Sequence, residues 1–349
     1  MNRKQLRQLT LVALSGLALA MSACSNEATT DPAKNNSTAE TSQTAPSSTT
    51  AHSDGGTSST TETAAPAQDR VLKDAMGHEV KIPAEPKAII ASYLEDNLVA
   101  LGVKPAAQWM TGRGTMQDYL QDSLNGIPGI PSELPLEVVA SYTPDLILMD
   151  SAELVAGDKY QQYSAIAPTY VVGSAQNNDW RQELLTVGEV LGKKDQAQKV
   201  LDEYEAKAKD AKAKVAQVTG GTKKAAALWI LDNDVYVVNQ NLSSGDVIYK
   251  DLGMGVPAVV QEISQKSESN WSSLSLERLA DMDADYLFLV NGSGKSKEEI
   301  LADPVWKNIP AVKEGHVYEF GKDKSWLYTG AVANGMMIDD VLASVTGAQ

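Results

Sequence analysis

KKDQAQKVLDEYEAKAKDAKAKVAQV, running from Lys193 to Val218, is the stretch on which the fold of this chain turns. It holds neither Pro nor Gly and is rich in Ala, Lys and Glu, residues that lose little conformational freedom in a helix. Ala197, Val200, Leu201, Tyr204, Ala208, Ala211, Val215 and Val218 recur at three- and four-residue steps. That spacing puts them on one stripe and leaves charged residues around the rest. Gly192 precedes the run and Gly220-Gly221 ends it, as helix boundaries require. At about 1.5 Å per residue such a helix is a rod of about 40 Å, the width of a small domain. Its Ala-rich seam is too short for a strong coiled coil. The expectation is a single stiff spacer joining two lobes.

Upstream, Arg3, Lys4 and Arg7 make a basic start, and Leu9 to Ala20 is an apolar run of twelve residues. That is too short to span a bilayer as a helix. The run ends in Met21-Ser22-Ala23-Cys24, which resembles the lipobox of bacterial lipoproteins, with Cys24 as the acylated residue. A signal peptide over residues 1–23 and a lipid anchor at Cys24 are therefore expected, against the alternative of ordinary secretion with cleavage after Ala23. Several acyl chains on one residue anchor stably where one would not. Cys24 is the only cysteine, which excludes intramolecular disulfides and thiolate metal clusters.

Residues 24–68 are dominated by Ser, Thr, Ala and Pro and have little to bury, so they read as a disordered tether. A flexible coil of that length reaches about 35–40 Å. The whole chain carries a net charge of −15 and has no basic stripe, which argues against nucleic acid as a partner.

Beyond the tether, Val71 to Pro83 reads as a hairpin centred on Gly77-His78. Short apolar strands follow at Lys87–Ser92, Ala106–Met110, Asp145–Asp150 and Thr169–Val172, with helical segments between them. Past the spacer the pattern returns at Ala225–Leu231, Val235–Asn239, Tyr286–Asn291 and His316–Phe320, and a last helix covers about Tyr328 to Val345. Strands alternating with helices argue for an α/β architecture with parallel sheets. The predicted division is an N-terminal lobe at residues 69–192, the connecting helix at 193–219 and a C-terminal lobe at 220–349.

The two lobes share a repeat. LPLEVVASYTPDLILM (Leu134 to Met149) aligns without gaps with LSLERLADMDADYLFLV (Leu274 to Val290), and Leu134, Leu136, Glu137, Ala140 and Asp145 meet identical residues at Leu274, Leu276, Glu277, Ala280 and Asp285. Each copy is a short helix opening with a glutamate, then a turn and an apolar strand. One copy on each side of the spacer suggests two halves related by an approximate twofold axis.

Taken together, DAMGHEVKIPAEPKAII, EDNLVALGVKP, LEVVASYTPDLIL and YSAIAPTYVV in the first half, with SLERLADMDADYLFLV, DPVWKNIPAVKEGHVYEF and WLYTG in the second, give residues 70–349 a recognisable likeness. The chain resembles the substrate-binding lipoproteins of iron-siderophore and vitamin B12 ABC transporters, and within that class the ferric hydroxamate binders of Gram-positive bacteria. The resemblance implies the class III fold: two three-layer α/β lobes with mostly parallel sheets, joined by one long helix; because that spacer is one stiff helix, small lobe motion is expected. It implies a monomer on the outer face of the cell membrane that passes a ferric siderophore to a permease dimer and its ATPase. It gives Glu137 and Glu277 the role of docking to arginines of the two permease subunits, although either could simply favour the start of a helix.

By position relative to that family, the candidate ligand contacts are Tyr93, Trp109, Arg113, Trp271, Trp326 and Tyr328, while Trp180, Trp229 and Trp306 read as core. Six Trp and twelve Tyr against two Phe suit a large amphipathic chelate. Where some relatives carry a ligand-binding arginine, this chain reads GIPGIPSELPLE and VVNQNLSSGD. Outside the tether the only histidines are His78 and His316, too few for a naked transition-metal site. No metal ligands, cofactor or catalytic residues are expected; iron arrives already chelated. Cobalamin or haem as cargo, and a surface lipoprotein outside transport, remain as alternatives. GSGKS at Gly292 to Ser296 lacks the spacing of a phosphate loop, and no GxSxG elbow is present, so an enzyme is not expected.

Overall fold

The computed structural model describes residues 68–175 and 177–347; the signal peptide, Cys24 and the tether up to residue 67 lie outside them. Chain tracing begins with the expected hairpin, β1 (Arg70–Lys73) antiparallel to β2 (Glu79–Ile82). The N-terminal lobe then builds β3 (Ile89–Ala91), β4 (Gln108–Trp109), β5 (Gly129–Ile130), β6 (Leu146–Ser151) and β7 (Thr169–Gly173). All of their pairings are parallel, in the order β3-β6-β7, and a bridge from Ile90 to Ala107 ties the β4-β5 pair to β3. The C-terminal lobe builds β8 (Ala225–Leu231), β9 (Asp234–Val238), β10 (Trp271–Ser273), β11 (Tyr286–Gly292) and β12 (Val317–Phe320), in the order β10-β9-β8-β11-β12.

The helices in chain order are α1 (Glu95–Ala100), α2 (Gln121–Leu124), α3 (Leu136–Ser141), α4 (Lys159–Ser164), α5 (Trp180–Val190), α6 (Lys194–Thr219), α7 (Ala258–Ser264), α8 (Leu276–Ala280), α9 (Lys297–Leu301), α10 (Pro310–Glu314) and α11 (Ala331–Thr346). The spacer is α6, an unbroken helix of 26 residues that ends at Gly220 in the left-handed conformation. Its buried stripe is Ala197, Tyr204, Ala208, Ala211 and Val215, the spacing read from the sequence.

Successive strand residues face opposite ways, and that alternation sorts the core. Ile89, Ala91, Leu146, Leu148, Tyr170 and Val172 of one sheet, and Ala225, Ala227, Tyr286, Phe288 and Val290 of the other, join a single cluster with α1, α5, α6 and α11. The intervening residues of the N-terminal sheet, Ile90, Ile147, Met149 and Val171, face a separate cluster of their own lobe. Ala226, Leu228, Leu287 and Leu289 do the same in the C-terminal lobe. Each sheet thus packs one face on private helices and the other on a helical layer held in common. The described residues form one compact unit.

The sequence repeat is a structural repeat. Helices α3 and α8 start 140 residues apart, as do strands β6 and β11. Asp145 accepts hydrogen bonds from the backbone of Lys87 and Ala88 at 2.7 and 2.9 Å, and Asp285 accepts one from the backbone of Lys224 at 2.8 Å. Each aspartate therefore pins the start of the neighbouring parallel strand, β3 or β8.

One strand departs from the parallel scheme. Only Asp232 and Asn233 separate β8 from β9, which is too short for a crossover, so the pair forms an antiparallel hairpin. The two- and three-residue strands β5 and β10 carry no sequence signal of their own.

Two close approaches weld the helical layer. A Cβ on Gly188 of α5 would lie 2.4 Å from Cβ of Ala197 on α6, so glycine is what lets these helices meet. Gly330, at φ 138°, precedes α11 and offers no capping side chain. Asp96 of α1 acts in its place, accepting from the backbone of Val332 at 3.0 Å and Ala333 at 2.8 Å. A side chain of one lobe thus caps a helix of the other.

A shared core predicts shared unfolding. Phe288 stacks on Trp326 with ring centroids 5.1 Å apart and is fully buried. Phe288→Ala should cost about 3–5 kcal/mol while leaving a single calorimetric transition. Two resolved transitions, one per lobe, would contradict the common layer.

Candidate ligand-binding cleft

The carboxyl ends of β3, β6 and β7 open toward the second lobe, the place where α/β proteins collect ligands. Tyr93 lies just beyond β3, Asp150 near the end of β6, and Asn177 to Trp180 lead from β7 into α5. Facing them are Asn241 to Ser243 after β9, Asn270 before β10, Asp246 and Thr329. These residues wall an inner chamber of about 240 Å³. An outer chamber of about 670 Å³ shares the walls at Asn177, Asn241, Leu242 and Asn270 and adds Glu153 and Glu268. Between them the Asn177 side chain donates to the backbone carbonyl of Glu268 at 2.9 Å, a direct link across the two lobes.

Buried carboxylates gather at and behind the inner chamber, Asp150 and Glu183 in its wall and Glu95 and Asp96 on α1, each held by neutral hydrogen-bond donors. Asp150 accepts from the Ser92 hydroxyl at 3.0 Å, and the Asp150 backbone N–H donates to the same oxygen at 2.9 Å. Glu183 accepts from the Asn97 amide at 3.2 Å. Glu95 accepts from the Trp109 backbone at 2.6 Å and from Gln117 at 3.1 Å. Tyr119 donates to Asp96 at 2.9 Å. Burial without a paired cation pushes Glu95 and Glu183 up to about 8, and Asp96 and Asp150 up to about 6. These rises occur despite hydrogen bonds that favour the ionised form.

Cations are spent elsewhere. Arg181 of α5 reaches Glu205 of α6 at 2.5 Å, Asp246 at 3.0 Å and Asp251 at 2.7 Å, and Tyr204 donates to Asp251 at 2.6 Å. The guanidinium also lies 4.5 Å from the Trp180 ring. It holds the first lobe, the spacer and the π-helical turn Asp246–Asp251 together.

The expected contact residues fall into distinct places. Tyr93, with φ 53°, lines the inner chamber. Its ring meets Trp109 edge-on at 5.1 Å and lies 6.4 Å from Tyr328, which in turn is 5.1 Å from Tyr119. Trp109, Tyr93 and Tyr328 thus form one aromatic group beside the chamber. Trp271, half-buried, follows the lining residue Asn270 and stands 6.2 Å from Trp229. Arg113 lies in the exposed turn Thr111–Thr115 and does not line either chamber.

Trp326 corrects its sequence assignment. It is fully buried, stacks between Phe288 and Phe320, and donates its indole N–H to Asp340 at 3.0 Å. The cavity between β11, β12 and α11 needed a large ring, and Trp326 fills it. Trp229, read as core, is half-buried against Tyr236 and Trp271. Trp180 is 4% exposed, yet it lines the inner chamber.

Sequence reasoning missed Asp150, Glu183, Asp246 and the asparagines. The one available signal was position: Asp150 closes a strand and Asp179 to Glu183 open the next helix. Glu137 and Glu277 are both exposed, each in the first turn of its helix, at α3 and α8. His78 is taken up by Asp74 at 3.0 Å and by stacking on Tyr160, and His316 stacks on Tyr286. Among the described residues no cluster of His, Cys, Asp and Glu is arranged to hold a metal ion, and no helix is long and apolar enough to cross a membrane.

Two α/β lobes on one long helix, with a polar cleft between them, define the class III ligand-binding architecture. Comparison with known proteins agrees. The model of the Periplasmic binding protein family matches residues 116–324, more than half of the chain, and the chain belongs to that family, whose members bind substrates for transporters rather than transform them. The probable siderophore-binding lipoprotein YfiY of Bacillus subtilis is 30% identical over 288 residues, covering 78% of this chain and 86% of the relative. The iron(3+)-hydroxamate-binding protein FhuD of Bacillus subtilis is 28% identical, covering 69% and 75%. Among solved structures, a FhuD fold-family component of a Fep/Fec-like ferrichrome ABC transporter from Bacillus subtilis superposes with a TM-score of 0.66 at 26% identity, covering 79% of this chain and 99% of that one.

The carboxylate network predicts an inverted pH dependence. A folded pKa above the unfolded value means that folding takes up protons, so this stabilisation is full below the ordinary carboxylate range and declines as pH climbs through about 6 and then about 8. The melting midpoint should fall between about pH 5 and about pH 9. Glu95→Gln and Glu183→Gln should flatten the slope. A midpoint that rises over this window would contradict the network.

Proposed function

We propose that this protein is the lipid-anchored, extracytoplasmic binding component of an ABC importer, and that it captures a ferric siderophore of hydroxamate type between its lobes. The observation that carries the reading is the pair of chambers walled by both lobes in a chain 30% identical to a siderophore-binding lipoprotein. The iron is cargo, already wrapped by its chelator, so the protein needs hydrogen bonds and flat aromatic contact rather than metal ligands. Asn177, Asn241 and Asn270 offer both donors and acceptors to such a chelate. Tyr93, with the adjoining Trp109, supplies an aromatic edge.

Delivery follows from the repeat. A carrier with two like halves meets a twofold permease, and each half presents one exposed carboxylate, Glu137 or Glu277, to one subunit. An ATPase on the cytoplasmic side drives release. The protein acts as a monomer, held at the membrane through Cys24.

Titrating the purified protein with ferric trihydroxamates should give saturable quenching of tryptophan emission at low micromolar ligand or below. Absence of quenching with any ferric chelate would overturn the reading. Glu137→Ala and Glu277→Ala should leave that affinity unchanged while reducing uptake by cells; loss of ligand binding in the purified variants would reassign both glutamates.

A further inference from the structure

Resting on the reading above, we infer that the cleft selects ferric chelates by charge. It favours a ferric trihydroxamate that carries a free ammonium arm over polyanionic complexes such as ferric tricatecholates and ferric citrate. Six carboxylates line the two chambers: Asp150, Asp179, Glu183 and Asp246 within, Glu153 and Glu268 at the outer chamber. The single lining cation is Lys250, and it is already engaged 3.4 Å from Asp246, one helical turn away. The other Asp246 oxygen takes Arg181 at 3.0 Å. Among the described residues, no cation pairs with Asp150, Asp179, Glu153, Glu183 or Glu268.

Hydroxamate chemistry fits this lining. Three singly charged hydroxamates balance Fe³⁺, so the chelate core is neutral and an amine arm makes the complex cationic. Catecholates and citrate leave excess negative charge, which a carboxylate-lined, partly desolvated chamber repels. A second observation points to an acceptor-bearing ligand. The indole N–H of Trp180, a residue 4% exposed that lines the inner chamber, has no acceptor among the described residues. The amide and hydroxamate oxygens of such a chelate provide one, and its ammonium arm meets the carboxylates. The raised pKa values of Asp150 and Glu183 have the same cause: buried acids with no positive partner.

The test holds the iron core constant and varies only charge. One ferric trihydroxamate is prepared with its terminal amine free, acetylated to a neutral arm, or succinylated to an anionic arm, and each form is titrated by tryptophan fluorescence. The free-amine form should bind at least about tenfold more tightly than the succinylated form, with the acetylated form between them. Glu153→Gln with Glu268→Gln, at exposed positions where folding is not at stake, should shrink that ratio. High salt should narrow it as well. Equal affinity for all three forms, or tighter binding of a ferric tricatecholate or ferric citrate, would overturn charge selection while leaving siderophore transport intact. If no form binds, the transport reading falls and charge selection falls with it.

Discussion

Each sheet of this protein needs a second surface to cover its inward face, and both find it in the same place. The layer of α1, α5, α6 and α11 receives Ile89, Leu146 and Leu148 from one side and Ala227, Phe288 and Val290 from the other. Neither lobe could retain its geometry if that layer moved away, because half of its strand residues would lose their cover. This constraint makes α6 more than a tether between domains. A helix of 26 residues whose apolar stripe is buried from Ala197 to Val215 is gripped over most of its length, so bending it there would expose core on both sides. Polar links reinforce the grip: Asp96 caps α11 across the lobes, and Arg181 gathers carboxylates from α6 and the second lobe.

A rigid layer behind the cleft gives the internal repeat its meaning. Asp145 and Asp285 hold equivalent strand starts, and the helices that precede them begin with Glu137 and Glu277 at matching positions. Because neither sheet can pivot freely on the shared layer, the separation of the two glutamates is fixed by the core. The docking proposed for this pair would benefit from such fixity, since a mobile pair would lose conformational entropy on engagement.

Much of this was legible in the sequence. Strand alternation, the apolar stripe of α6 and the offset repeat are local signals, and each survives into the fold. The cleft was less legible because its walls come from segments distant in sequence: Asp150, Glu183 and Asp246 become neighbours only through tertiary packing. Trp326 shows the opposite failure. A tryptophan two residues from Tyr328 shares its loop but not its direction, and a large buried gap between Phe288 and Phe320 claimed its ring. Trp180 was hidden for a related reason: it packs on Tyr204 at 4.7 Å as a core residue would, yet also reaches the chamber.

The distribution of charge separates what the fold requires from what the cleft requires. Several carboxylates have partners within the fold: Asp246 and Asp251 have Arg181, Asp285 has Lys223 at 2.8 Å, and Asp96 has the amino end of α11. Asp150 and Glu183 have only neutral donors. A buried acid without a cation destabilises the folded state in its ionised form, and an amide or hydroxyl of similar size would avoid that cost. Under the charge selection inferred above, a positively charged guest would complete in the loaded state the pairing that Asp150 and Glu183 lack in the free protein.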